Sequence, residues 1–236
     1  MPSIPEPIVD PALADRLADV DRRIADAARA ARRSPDELTR IVVTKFHPAS
    51  LVADLAALGV TDVGENRQQE LTAKRAELTG LDVTWHYVGQ MQTNKARAVR
   101  AAASVVHSLD RVKLADALDA AADDAAPELD VLLQVNLTDD AGRGGAEPDQ
   151  LELLAAHAHQ CRTLRVRGIM AVAPLDESPA RAFERLRACS ERVRAVVPDA
   201  HWISAGMTAD FAEAIAAGAT HLRIGSAITG PRPDRG

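Results

Sequence analysis

The chain is expected to fold as a single (β/α)8 barrel of the TIM type, with one extra helix on its N-terminal side. Three observations lead there. Short apolar runs alternate with helical stretches eight times along 236 residues, and such alternation builds βαβ units around a parallel sheet. Eight units in about 200–250 residues match the size of a closed barrel. No Gly-x-Gly-x-x-Gly follows the first strand, where Lys45 stands instead, and this disfavours the runner-up, an open doubly wound sheet.

Residues 1–10 read as a flexible, proline-rich lead-in, 11–232 as the barrel domain and 233–236 as a tail. Residues 11–32 keep a helical period that puts Leu13, Leu17, Val20 and Ile24 on one face. The first strand, 40–45, holds the β-branched run Ile41-Val42-Val43-Thr44 and ends on Lys45. Further strands are expected at 61–64, 83–88, 104–108, 130–136, 164–171, 201–204 and 221–225. Helices are expected near 48–58, 66–78, 92–102, 110–124, 148–161, 178–196 and 208–217, with a short terminal one from Ser226.

Bulk properties narrow the function classes. Hydrophobic residues make up 47% of the chain, which is enough for a packed core, and the net charge of −6 argues against a nucleic acid or an anionic membrane as partner. No apolar run approaches the length of a membrane span. The start, Met1-Pro2-Ser3-Ile4-Pro5-Glu6-Pro7, has neither the basic nor the apolar stretch of a secretory signal. Cys161 and Cys189 fall in different expected helices and form no Cys-x-x-Cys. A cytoplasmic protein with reduced thiols is the expectation.

Only four lysines occur, Lys45, Lys74, Lys95 and Lys113. A lysine at the inner end of a buried strand is costly to bury, and a desolvated amine is the nucleophile of Schiff-base chemistry. On position alone, a lysine that snorkels to water is the commoner outcome. Alternation puts Ile41, Val43 and Lys45 on the inner face of strand 1, and His221, Arg223 and Gly225 on that of strand 8. Those two strands are neighbours once the barrel closes. Arg223 could pair with an interior carboxylate or donate to a bound ring or anion.

Barrels of this class often hold phosphate in the loops after strands 7 and 8. Here those loops are Ser204-Ala205-Gly206-Met207-Thr208 and Ile224-Gly225-Ser226-Ala227. Small residues let backbone N–H groups reach an anion, and the hydroxyls of Ser204, Thr208 and Ser226 could add donors. The same hydroxyls are also ordinary helix caps. Asn66, after Gly64-Glu65, could cap the next helix or turn its amide to a ligand. Lys95 in the first turn of a helix opposes the helix dipole. Gly142-Arg143-Gly144-Gly145 reads as a mobile loop rather than a phosphate cradle. His157 and His159 face different ways on their helix, and no metal site is expected.

Taken in order, several segments resemble the pyridoxal phosphate homeostasis protein family, with its alanine-racemase-like barrel. They are Val42-Val43-Thr44-Lys45, Gly64-Glu65-Asn66, Trp85-His86-Tyr87-Val88-Gly89 with Gln92-Thr93-Asn94-Lys95, and His107-Ser108-Leu109-Asp110. Gln134-Val135-Asn136, Arg167-Gly168-Ile169-Met170-Ala171, Ser204-Ala205-Gly206-Met207-Thr208-Ala209-Asp210 and Arg223-Ile224-Gly225-Ser226-Ala227-Ile228 continue the series. Each is weak alone, but their order and spacing are specific, and together they run from about residue 40 to residue 232. The departures are mild: Gln90-Met91 and Ala205 replace more usual residues, and Phe46-His47 follows the lysine where a small polar residue is common.

The resemblance implies pyridoxal 5′-phosphate held as a Schiff base on Lys45. Ser204, Gly225 and Ser226, with Thr208, match the family's phosphate-binding positions; Arg223 matches the arginine facing the pyridine nitrogen, and Asn66 the amide beside the ring. An arginine there opposes protonation of that nitrogen and makes the cofactor a poor electron sink. Alanine racemases draw a second base, a tyrosine, from a second domain. This chain ends at Gly236 and its single tyrosine, Tyr87, falls at a strand end, so no catalytic residue is expected. The implied role is a monomeric carrier of pyridoxal phosphate that could pass it to apo-enzymes. Rival expectations are a racemase-like enzyme on small amino acids, an aldolase-type barrel using Lys45 without a cofactor, and an interaction module with an incidental lysine.

Overall fold

The computed structural model describes residues 10–123, 126–138 and 140–233; nearly all of the expected lead-in and tail, 1–9 and 234–236, lie outside the described residues. In chain order the elements are α1 (Pro11–Ala30), β1 (Thr39–Val43), α2 (Ala49–Ala57), β2 (Asp62–Glu65), α3 (Gln68–Glu77), β3 (Thr84–Tyr87), α4 (Ala96–Ala102), β4 (Val105–Leu109) and α5 (Val112–Asp119). Then come β5 (Leu129–Gln134), α6 (Leu151–Gln160), β6 (Leu164–Met170), α7 (Pro179–Val196), β7 (Trp202–Ser204), α8 (Phe211–Ala216), β8 (His221–Ile224) and α9 (Ser226–Thr229). The eight strands pair in sequence order, all parallel, and β8 closes on β1 with Ile41 opposite Arg223. This is the (β/α)8 barrel that the alternation predicts, and α1 is the extra helix.

Helix α1 starts where Asp10 accepts a hydrogen bond from the Ala12 N–H at 2.9 Å, with Pro11 in the first turn. It buries Leu13, Leu17, Val20, Ile24 and Ala28, the stripe a 3.6-residue period requires. It packs on α8 and α9, where the Arg16 Nε donates to the Ile228 carbonyl at 2.7 Å. Outward-facing strand residues and the inner helix faces form the main apolar core, with Val42, Val63, Leu133, Ile169 and Ile224 within it. Inside the barrel a second, small cluster joins Val105, Leu132 and Met170 to Trp202. That interior also holds polar groups: His86, His107, Ser204, His221 and Arg223 are all buried.

Element ends differ from expectation where a local bond or turn intervenes. Strand β1 stops at Val43, two residues short of Lys45. Helix α3 starts at Gln68 with Arg67 before it, so Asn66 is not its cap. Residues 93–95 form a 3₁₀ turn ahead of α4. The Gly142–Gly145 segment is folded back on β5: the Ala146 N–H donates to the Gln134 carbonyl at 2.7 Å and the Asn136 N–H to the Ala146 carbonyl at 2.9 Å. Among the described residues no helix is long and apolar enough to cross a membrane.

Candidate functional site

A cavity of about 370 Å³ opens at the C-terminal ends of the strands, within the range of small-molecule sites. Lys45, Asn66, Thr208, Arg223, Gly225 and Ser226 all line it, and Val43, Val88, Val172 and Met207 supply apolar walls. Six of the seven residues singled out in the sequence therefore meet at one place. Alternation starts this: Val43 on β1 and Arg223 on β8 share the inward face, and Lys45 and Gly225 follow each of them by two residues, just past the strand ends.

Lys45 is exposed rather than buried, the commoner of the two outcomes that its position alone allows. The backbone leaves the barrel before reaching it. Thr44 is held from below: its hydroxyl donates to Glu65 at 2.6 Å, and the Lys74 Nζ donates to its carbonyl at 2.8 Å and to Glu65 at 2.5 Å. Phe46 then takes φ 69, a left-handed conformation that costs a non-glycine residue about 1–2 kcal/mol. Its N–H donates to Glu70 at 2.7 Å, and the guanidinium of Arg67 sits 5.0 Å from its ring centre. The turn projects the Lys45 amine over the cavity.

Asn66 follows the last residue of β2, and the loop after β3 presses on its backbone. A Cβ built on Gly89 would lie 2.0 Å from the Asn66 carbonyl oxygen. Gly89→Ala must move one of the two loops, so it is expected to cost about 1–3 kcal/mol, as overpacking does. Urea denaturation measures that loss; an unchanged midpoint would show the loops to be free to part.

The loop after β7 turns at Gly206, with φ 91 and a would-be Cβ 2.8 Å from that of Ala214. Asp210 accepts from the Met207 N–H at 2.6 Å and ties the turn to α8. Thr208 and Ser226 thereby bring hydroxyls from two loops to one wall of the cavity.

Ser204 is the exception. Fully buried, it lies beneath the cavity, where its hydroxyl accepts from the Arg223 Nη1 at 2.6 Å and meets the His107 Nδ1 at 2.9 Å. Arg223 also donates to the Ala171 carbonyl at 2.9 Å. Burial pulls the Arg223 guanidinium down to about 10, so it stays charged at neutral pH. Sequence reading missed the polar column under it, because His86 and His107 stand in motifs whose inward register only the sheet reveals.

Burial, with the neighbouring His86, pushes His107 well below 6.5 and His221 down to about 3. Both are neutral in the folded protein where the unfolded chain titrates at 6.5. Their contribution to stability is full above the unfolded value and is lost as pH falls toward the folded one, because the unfolded state then binds more protons. The unfolding free energy from urea denaturation is expected to drop between about pH 7 and about pH 5, by up to about 1.4 kcal/mol per pH unit per histidine. A flat profile would show that these histidines are hydrated.

Two further features lie outside the cavity. Tyr87 faces an adjoining cavity of about 520 Å³ that it shares with Lys95 and Arg111, and its hydroxyl donates to the Gln90 carbonyl at 3.2 Å. Asp116, His157 and Cys161 bring ligand-type atoms within 4.8 Å of one another on α5, α6 and the turn after it. The sequence reading expected no such cluster, since Asp116 is remote in the chain; its His157 Nε2 already pairs with Asp116 at 2.6 Å.

The family model of the alanine racemase N-terminal domain matches residues 17–233. A Mycobacterium bovis protein called pyridoxal phosphate homeostasis protein is 40% identical over 239 residues, covering 93% of this chain and 93% of that one. The structure of PipY from Synechococcus elongatus with PLP bound superposes with a TM-score of 0.81 at 33% identity, over 92% of this chain and 100% of PipY. An alanine racemase from Corynebacterium glutamicum shares the fold, with a TM-score of 0.70 at 16% identity, over 95% of this chain and 62% of that one.

Proposed function

The chain belongs to the alanine racemase N-terminal domain family and, within it, to the pyridoxal phosphate homeostasis proteins; on that premise we propose that it binds pyridoxal 5′-phosphate covalently through Lys45, without turnover. One observation carries the reading: an amine, a guanidinium, an amide and two hydroxyls converge on one cavity whose other walls are apolar or glycine. When bound, the cofactor supplies an aldehyde for an amine, a pyridine nitrogen and a phosphate.

The residues fit those three groups. Lys45 offers the amine at the cavity rim. Arg223 approaches from the floor as a donor with a fixed charge, so the atom it faces is kept free of a proton. Thr208 and Ser226 would donate hydroxyl protons to the phosphate, joined by the N–H groups that the first turn of a helix leaves unpaired. Val43, Val88 and Val172 would give the ring apolar walls, and Asn66 would offer it an amide. The hydroxyl of Ser204, engaged below, supports Arg223 rather than the phosphate.

Absence of turnover rests on the lining. Among the described residues that line the cavity, Lys45 and Arg223 are the titratable ones, and Tyr87 points into the neighbouring cavity. Proton exchange at an amino-acid α-carbon with inversion needs acid/base groups on both faces. Lys45 serves one face only. We read the protein as a cytoplasmic monomer that limits free aldehyde and passes cofactor to apo-enzymes; the net charge of −6 and two free thiols accord with it.

A visible absorption spectrum before and after borohydride, with peptide mass mapping, tests this. Yellow colour that bleaches, with a phosphopyridoxyl mass on the Lys45 peptide, is the expected result. A colourless protein that added pyridoxal phosphate does not load would overturn it. Substrate-dependent α-proton exchange would leave the binding and remove the claim of no turnover.

A further inference from the structure

Arg223 forms the floor of the cavity, yet among the described residues no carboxylate bonds it. Its Nη1 donates to the Ser204 Oγ at 2.6 Å and its Nη2 to the Ala171 carbonyl at 2.9 Å. Below Ser204 the polar column continues: Oγ to His107 Nδ1 at 2.9 Å, His107 Nε2 to His86 Nδ1 at 2.9 Å, and His86 Nε2 to Asp62 Oδ1 at 2.9 Å. Asp62 is the first residue of β2, so it stands at the N-terminal mouth of the barrel, opposite the cavity. Ser204 and His107 are fully buried, His86 nearly so, and Asp62 half-buried.

We propose that Asp62 is a positioning residue for Arg223, acting through the barrel core by fixing the direction of every hydrogen bond between them. A carboxylate only accepts, so the His86 Nε2 carries the proton. With that single ring proton, His86 has a bare Nδ1, which can only accept from the His107 Nε2–H. Neutral His107 is left with a bare Nδ1, which accepts the Ser204 hydroxyl proton. The serine oxygen then has its lone pairs turned to Arg223, which only donates. Every donor in the column meets an acceptor, and Arg223 is held at one end by a charge at the other.

The opposite polarity fails at Ser204. With His107 protonated on Nδ1, two donors, His107 and Arg223, would converge on one hydroxyl oxygen, and the serine proton would lack an acceptor in a site with 0% exposure. A buried donor without a partner keeps its whole desolvation penalty. Asp62 is what excludes that state. Although burial pushes its carboxyl up, hydrogen bonds from His86 and Thr61 hold it below its ordinary value. His221 flanks the column without joining it: its ring centre is 6.3 Å from that of His107 and 6.5 Å from that of His86, and its Nδ1 turns to Thr220 at 2.8 Å.

The consequence for affinity rests on reading the cavity as a pyridoxal phosphate site; the relay does not. Long-range proton–nitrogen correlation on ¹⁵N-histidine-labelled full-length protein, without ligand, is expected to show His86 and His107 both protonated on Nε2 only. A His107 proton on Nδ1 would overturn the relay. In Asp62→Leu, and in the less perturbing Asp62→Asn, tautomers of both histidines are expected to mix, and the Arg223 guanidinium protons to exchange with water faster. Unchanged exchange in a folded variant would overturn the positioning role, whether or not the chain takes the cofactor. Where it does, affinity for added pyridoxal phosphate should fall about tenfold, as with groups that orient the ligands of a metal from behind. Full affinity in Asp62→Asn with mixed tautomers would likewise count against positioning.

Discussion

Lys45→Ala should eliminate the borohydride-trapped phosphopyridoxyl adduct and the visible absorption that goes with it, while the unfolding free energy stays within about 0.5 kcal/mol of the parent, as for surface substitutions. The side chain is exposed and its ammonium lies 5.9 Å from the Phe46 ring centre, so truncation removes little packing. The other lysines make the experiment sharp. Lys74 is 5% exposed and paired with Glu65, which leaves Lys95 and Lys113 as competitors. Adduct that persisted on Lys95 would move the site to the neighbouring cavity, which Lys95 lines with Arg67 and Arg111. Residual binding without colour is compatible with the site as described, since Arg223, Thr208 and Ser226 remain.

Much of the barrel was legible because two periods suffice to read it. Apolar runs bounded by polar residues mark strands, and the period of two assigns inner faces without any contact map. That parity correctly put Lys45, Arg223 and Gly225 on one wall. It also put His221 inside, though not what His221 faces. What escaped reading is held by long-range pairing. Lys74 meets the Thr44 carbonyl across 30 positions, and His107 meets Ser204 across 97. Nothing local in Gln68–Glu77 marks Lys74 as buried, since its surroundings read as a solvated helix face. Ser204 shows the same limit: its residue type suits a phosphate loop, but the register of β7 beside β8 turns its hydroxyl into the core.

Lys74→Met is expected to destabilise the protein by about 3–5 kcal/mol, the cost of breaking a buried ion pair from one side. Glu65 has 0% exposure and would keep only the Thr44 hydroxyl as donor, and the Thr44 carbonyl would keep only the His47 N–H. Burial already pushes the Glu65 carboxyl up against the pull of the Lys74 ammonium. Without that ammonium the folded state favours protonated Glu65 more strongly. The deficit should therefore be greatest above the folded value and shrink as pH falls through it, because there the native state binds the extra proton. Urea denaturation at two pH values reads both effects, and a loss under about 1 kcal/mol would show the pair to be hydrated. Adding Glu65→Met should return most of the stability, since apolar replacement of a buried pair is often neutral. It should not return ligand binding. The pair pins the Thr44 carbonyl and hydroxyl next to Lys45, and a double variant that is stable but loses that anchor would hold the amine loosely. Recovery of stability together with full affinity would mean that the Phe46 turn alone aims Lys45. Recovery of stability without affinity would assign the buried pair to the site, as the part of the core that sets where the reactive amine stands.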